Sequence, residues 1–109
     1  MKANQAAVGA YLRRLREEKE YTVATAAHFL ETGEGQIRRI EKGSIQTRAA
    51  MLINYCELVD GNLNDIAQLM LSETATPEYG AKIAERWIAR GQQPPGKRAA
   101  ESLATYSVN

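Results

Sequence analysis

The chain has 109 residues, which suits one domain built around one modest core. Hydrophobic residues make up 44% and charged residues 25%, and no apolar run approaches the ~18 residues that a bilayer span needs. With Cys56 its one cysteine and His28 its one histidine, the chain can form no internal disulfide and no metal site with cysteine partners. It also has little acid–base chemistry to offer, so neither metal nor cofactor is expected. Lys2 is the one charge in the first dozen residues and no cleavable apolar stretch follows it, so a cytoplasmic protein is expected. The net charge of +1 is unevenly spread. Residues 1–48 hold nine Lys/Arg against six Asp/Glu, and residues 49–96 hold three against six.

Val8, Leu12 and Leu15 recur at helical spacing, with Tyr11 beside them, and predict a first helix over about 5–19. Thr22 suits the N-cap of a second helix, about 23–30, which is rich in alanine (Ala24, Ala26, Ala27). Glu31-Thr32-Gly33 breaks that pattern. A third helix over about 33–41 turns Ile37 and Ile40 inward and ends at Lys42-Gly43-Ser44, where Gly43 fits a left-handed residue. A fourth helix, about 47–59, carries Met51, Leu52, Tyr55 and Leu58, with Cys56 read as a small core residue. Asp60-Gly61-Asn62 is a turn, and Leu63, Ile66, Leu69 and Met70 mark a fifth helix over about 63–71.

Pro77 fits the first turn of a sixth helix that ends at Gly91. Its stripe of Tyr79, Ile83 and Trp87 has two readings: it packs on the chain's own core, or it forms a dimer or partner face. Residues 92–96 (Gln-Gln-Pro-Pro-Gly) read as a linker, and 97–106 suit a last short helix in a loose tail. The chain therefore divides into a helical domain over 1–71, a helical extension over 72–91 and a tail over 92–109. There is no internal repeat and no strand signal, so the fold reads as all-α.

The second and third helices are joined by two or three residues. So short a link forces a steep crossing, which is the helix-turn-helix arrangement. With Ile37 and Ile40 set inward at ~100° per residue, Gly35, Arg39 and Lys42 point outward, with Gln36 and Arg38 on the flanks. Arginine can grip guanine O6 and N7, and glutamine can pair with adenine, so Gln36, Arg38 and Arg39 are candidates to read bases. Lys42, Arg48 and Arg13 are candidates to neutralise phosphates. No paired carboxylates, glycine-rich phosphate loop or nucleophile–base pair points to an enzyme.

Leu12-Arg13-Arg14-Leu15-Arg16-Glu17-Glu18, Tyr21-Thr22, Ala27 and Ile37-Arg38-Arg39-Ile40-Glu41-Lys42-Gly43 together resemble the Xre/Cro/C1 helix-turn-helix family over about 8–70. The resemblance implies a five-helix repressor-like domain, here followed by an additional amphipathic helix. It implies a buried Arg16–Glu41 pair between the first helix and the end of the third. It assigns Ala27 to the crossing of the motif helices and Thr22 to the cap of the second, whose free N–H groups face a phosphate. Val23, the next position, is where the family usually carries a phosphate-contacting glutamine. Residues 33–39 match the recognition helix, which brings Glu34 and Gly35 to the base edges. Glu34 can pair with Arg38 one turn later or accept from cytosine N4. Glu31 stands where glycine is common, and Gly33 replaces the usual serine or threonine cap.

The function implied is a transcriptional regulator, a repressor as the commonest mode, that binds double-stranded DNA as a homodimer. The competing expectation is an interaction module that kept the fold, such as an antitoxin or an adaptor with its partner on the sixth helix.

Overall fold

The computed structural model describes residues 3–92, so the linker read over 93–96 and the short helix read over 97–106 lie outside the described residues. Six α-helices follow one another with no strand among the described residues: α1 (Gln5–Glu18), α2 (Val23–Phe29), α3 (Glu34–Lys42), α4 (Ala49–Leu58), α5 (Leu63–Leu71) and α6 (Pro77–Ala89). None is long and apolar enough to cross a membrane. The fold is all-α.

Side-chain caps explain most helix starts. Asn4 accepts from the Ala7 N–H, Thr22 from Thr25, Asn62 from Asn64 and Thr76 from Tyr79. Asn4 does more: its side-chain amide donates to the carbonyls of Ser72 (3.0 Å) and Ala75 (2.8 Å), tying the start of α1 to the α5–α6 connection. α4 starts two residues later than the apolar spacing suggested, because Arg48 is extended (φ −63°, ψ 144°).

The ends of α1 to α4 share one device. Glu20 (φ 60°), Glu31 (φ 54°), Gly43 (φ 70°) and Asp60 (φ 55°) are left-handed. The N–H of the residue after each then bonds a carbonyl five positions back: Tyr21 to Arg16, Thr32 to Ala27, Ser44 to Arg39 and Gly61 to Cys56. Only the third of these uses glycine. The two glutamates and the aspartate each hold a conformation that costs about 1–2 kcal/mol for an L-residue.

α1 is the central helix, with Ala7, Val8, Tyr11, Leu12 and Leu15 all buried. On one side its backbone touches α3, since a Cβ at Gly9 would collide with the carbonyls of Ile40 and Glu41. On another it touches α6, since a Cβ at Gly80 would collide with the Ala7 carbonyl. This second approach accounts for the inward half of the α6 stripe. Trp87 is 5% exposed and lies with Ala84 in the same core as the α1 residues, and Ile83 packs against that core. Trp87 is thereby covered by the chain itself, while Ile83 is half-buried and Tyr79 is 45% exposed. Gly80 is the physical reason, because its missing side chain lets α6 lie directly on α1. The Trp87 Nε1–H also donates to the Asp60 carbonyl (2.7 Å), and Arg14 meets Glu85 (3.5 Å).

Candidate nucleic-acid interface

The placement of α3 rests on a buried polar cluster. Arg16 Nε and Nη2 donate to the two oxygens of the Glu41 carboxylate at 2.7 and 3.0 Å. Arg16 Nη1 donates to the Tyr21 carbonyl at 2.8 Å, just before α2. The Tyr55 hydroxyl of α4 donates to the same Glu41 carboxylate. A bidentate pair alone would fix α3 to α1; the added bonds bring in α2 and α4. The Glu41 carboxylate raises the Arg16 pKa further above its ordinary value, against the opposing effect of burial. Burial first, and the Glu41 carboxylate second, push the Tyr55 phenol well above the usual tyrosine range, so it remains a donor at neutral pH. Sequence reasoning missed Tyr55, whose ring spacing reads only as core.

A second cluster holds α5. The Tyr11 hydroxyl donates to Asp65 Oδ2 (2.9 Å) and accepts from the Asn62 N–H (3.0 Å). Burial raises the Tyr11 phenol, and burial also raises the Asp65 carboxyl above the ordinary carboxylate value.

The α2–α3 link spans residues 30–33, slightly longer than the spacing suggested. Ala26 and Ala27 are buried on α2, and Ile37 and Ile40 are buried on α3. That leaves Glu34, Gly35, Arg38, Arg39 and Lys42 exposed and Gln36 half-buried. Arg38 Nη2 reaches Glu34 Oε1 at 3.3 Å, an exposed i,i+4 pair. Such pairs contribute only about 0.3–0.5 kcal/mol, so Arg38 exchanges this partner readily. The Arg39 guanidinium lies over Gly35, where a Cβ would sit 3.3 Å from Nη2. Gly33 caps α3 without a side-chain bond.

The other candidates are less uniform. Thr22 is exposed and its hydroxyl is engaged by the Thr25 N–H and hydroxyl, both at 3.0 Å. The Val23 side chain packs against the core, which leaves only its backbone N–H for a phosphate. Arg13 is exposed and pairs with Glu17 along its own helix (3.6 Å); nothing joins it to the α3 face. Arg48 is exposed, and among the described residues Arg39, Lys42 and Arg48 take part in none of the ion pairs. Beside Arg48, the buried Thr47 hydroxyl has no hydrogen-bond partner, a feature with no sequence signal. Cys56 is buried, and burial pushes its thiol up to about 12, which makes it inert at neutral pH. Among the described residues no His/Cys/Asp/Glu group is arranged to hold a metal ion.

No solved structure matches the chain. It is 44% identical over 84 residues to an "uncharacterized 15.4 kDa protein in HgiDIIM 5′region" of Herpetosiphon aurantiacus. That match covers 77% of this chain and 61% of the relative, so the chain spans under two thirds of the relative's length. Residues 7–69, more than half of the chain and the whole of α2, α3 and α4, match the model of a helix-turn-helix domain. The chain belongs to the helix-turn-helix domain family.

Proposed function

We propose that the chain is a sequence-specific DNA-binding transcriptional regulator of the Xre/Cro/C1 type, acting as a repressor and as a homodimer. The observation that carries this reading is the outer face of α3, where Arg38, Arg39 and Lys42 stand exposed on a helix fixed from behind by Arg16, Glu41 and Tyr55. A rigid helix with mobile cations outside is what the major groove admits. Arg38, Arg39 and Gln36 read base edges, and Gly35 lets the helix come close to them. Glu34 either stays with Arg38 or accepts from cytosine N4. Lys42 and Arg48 neutralise phosphates, with Thr22 and the N–H of Val23 at the start of α2 as further phosphate partners. Arg13 is a peripheral phosphate contact once it leaves Glu17.

One observation favours a second reading, the interaction module such as an antitoxin or adaptor. Phe29, at the end of α2, is 60% exposed and borders a groove with Leu30, Glu31, Asn54, Glu57 and Leu58. An apolar ring between two carboxylates suits a protein more than a phosphate backbone.

Fluorescence anisotropy with DNA from upstream of the gene and its neighbour, against random DNA and across a salt series, separates the two. Preference for the upstream DNA is expected, with log K falling linearly against log salt at about −0.9 per phosphate neutralised. The Arg38→Ala/Arg39→Ala variant is expected to lose the preference. Binding that is undetectable at low salt, or identical in wild type and variant, sinks the regulator.

A further inference from the structure

Gly9 and Gly80 stand where another helix's backbone would strike a Cβ, and Gly43 is left-handed. Gly35 meets neither demand. Its φ is not positive. The three nearest neighbours of a Cβ there would be Nη2, Nη1 and Cζ of Arg39, at 3.3, 3.7 and 3.9 Å. Gly35 is also the second residue of α3 and exposed, a position where alanine makes a more stable helix than glycine. The fold therefore gains nothing from glycine at this point. What the missing side chain makes room for is a guanidinium.

Side chains on a helix lean toward its N-terminus, so residue i+4 lies over residue i. Arg38 accordingly lies over Glu34, and Arg39 over Gly35. The two seats work differently. Glu34 holds Arg38 by its charge and occupies Nη2. Gly35 accommodates Arg39 by leaving space, and the Arg39 guanidinium makes none of the side-chain hydrogen bonds or ion pairs found among the described residues. Its five N–H donors thus stay free while its place along α3 is set by packing. A guanidinium grips guanine O6 and N7 only when two of those donors aim at them together. A Cβ at position 35 pushes the group aside by a few tenths of an ångström, and a longer side chain takes its seat. We infer that Gly35 is a specificity-determining positioning residue, which seats the Arg39 guanidinium over the first turn of α3 with its donors free for a guanine. The inference rests on the regulator reading above and gives Gly35 a role that acts through Arg39.

Anisotropy of the full chain on the upstream DNA and on its single-base-pair variants tests it. Arg39→Ala identifies the base pair that Arg39 reads, as the one where discrimination falls. Gly35→Leu is expected to lose discrimination at that same base pair, by about 5- to 150-fold, and to keep it elsewhere. Gly35→Ala is expected to lose less. Both variants are expected to melt at or above the wild-type temperature, since leucine and alanine are better helix formers than glycine. In the Arg39→Ala background, Gly35→Leu is expected to add nothing. An equal loss in that background, or a loss spread over every base pair, would mean that the new side chain obstructs the DNA itself, and overturns the role through Arg39. In the chain without DNA, nuclear Overhauser contacts are expected between the Gly35 Hα protons and the Arg39 side chain. Their absence overturns the seat and leaves the regulator standing. Contacts present in a chain with no preference for the upstream DNA overturn the regulator, and the base-reading role of the seat with it.

Discussion

The indole of Trp87 in α6 donates to the carbonyl oxygen of Asp60, 27 residues earlier, at 2.7 Å. Asp60 is itself left-handed at the end of α4, and its carboxylate meets Lys19 after α1. Gln92 adds a bond from its side-chain amide to the Val59 carbonyl at 3.1 Å. The last described helix is thus bolted to the α4–α5 turn and lies on α1. Trp87 is the chain's one tryptophan, so its emission reports this docking directly. Its fluorescence and the helical circular dichroism are expected to change at one urea midpoint. Trp87→Phe keeps a ring but orphans the Asp60 carbonyl, and is expected to lose about 1–3 kcal/mol in urea unfolding. An emission change well ahead of the helix signal would mean that α6 detaches by itself.

The Arg16–Glu41–Tyr55 cluster predicts strongly non-additive energetics. Arg16→Ala leaves a buried carboxylate without its cation and is expected to cost about 3–5 kcal/mol. Tyr55→Phe removes one bond to a charged acceptor, worth about 1.5–3 kcal/mol. The paired change Arg16→Met/Glu41→Leu takes both charges away and is expected to cost much less than the sum of the single changes. Chemical denaturation of the wild type, Arg16→Met, Glu41→Leu and the double variant gives the coupling. Additive losses would show that the charges act separately.

Much of this architecture is legible in the residues. The apolar spacing of Val8, Leu12 and Leu15 and of Ile37 and Ile40, with Thr22 and Gly43 at helix ends, places α1 to α3 within two residues. What escapes is contact between distant segments. The Tyr55 hydroxyl reaches Glu41, and the Tyr11 hydroxyl reaches Asp65 across 54 positions, yet each ring sits at an ordinary core spacing. Periodicity reports which face is apolar and is blind to the polar tip of a buried ring. Gly80 reads as a weak helix residue, although its missing side chain is what lets α6 reach α1. The stripe of α6 was legible; what covers it was not. At the candidate interface, the exposed set on α3 follows from helical geometry, but the orphaned Thr47 hydroxyl depends on how the chain packs before α4.

Glu31 sits at φ 54° in the helix-turn-helix link and makes none of the side-chain hydrogen bonds or ion pairs found among the described residues. Replacing it with glycine removes left-handed strain and adds some unfolded-state entropy. Strain is the larger effect at a position already held at positive φ. Glu31→Gly is expected to stabilise the fold by about 1 kcal/mol, a rise of roughly 4–8 °C in Tm for a domain of this size. Glu31→Ala keeps the strain and serves as the control for the lost charge. Equal melting temperatures for the two variants would show that backbone strain at this position is negligible.

Asp65 gives the fold a pH dependence of unusual sign for a carboxylate. Burial, the larger effect, raises its pKa in the folded chain, while the bond from Tyr11 and the nearby Arg90 act in the opposite direction. A raised carboxyl pKa means that the folded chain holds its proton more tightly than the unfolded one. Asp65 therefore lowers stability progressively as pH rises from the ordinary carboxylate range through the raised value, and the full penalty persists at neutral pH. Asparagine accepts from the Tyr11 hydroxyl through its Oδ1 and carries no charge to desolvate. Asp65→Asn is expected to be more stable than the wild type at pH 7, with the gap narrowing as pH falls from the raised value into the ordinary carboxylate range. Urea midpoints of both proteins across that range measure the gap. A gap that widens toward acid would mean that the Tyr11 bond, and not burial, governs this carboxyl.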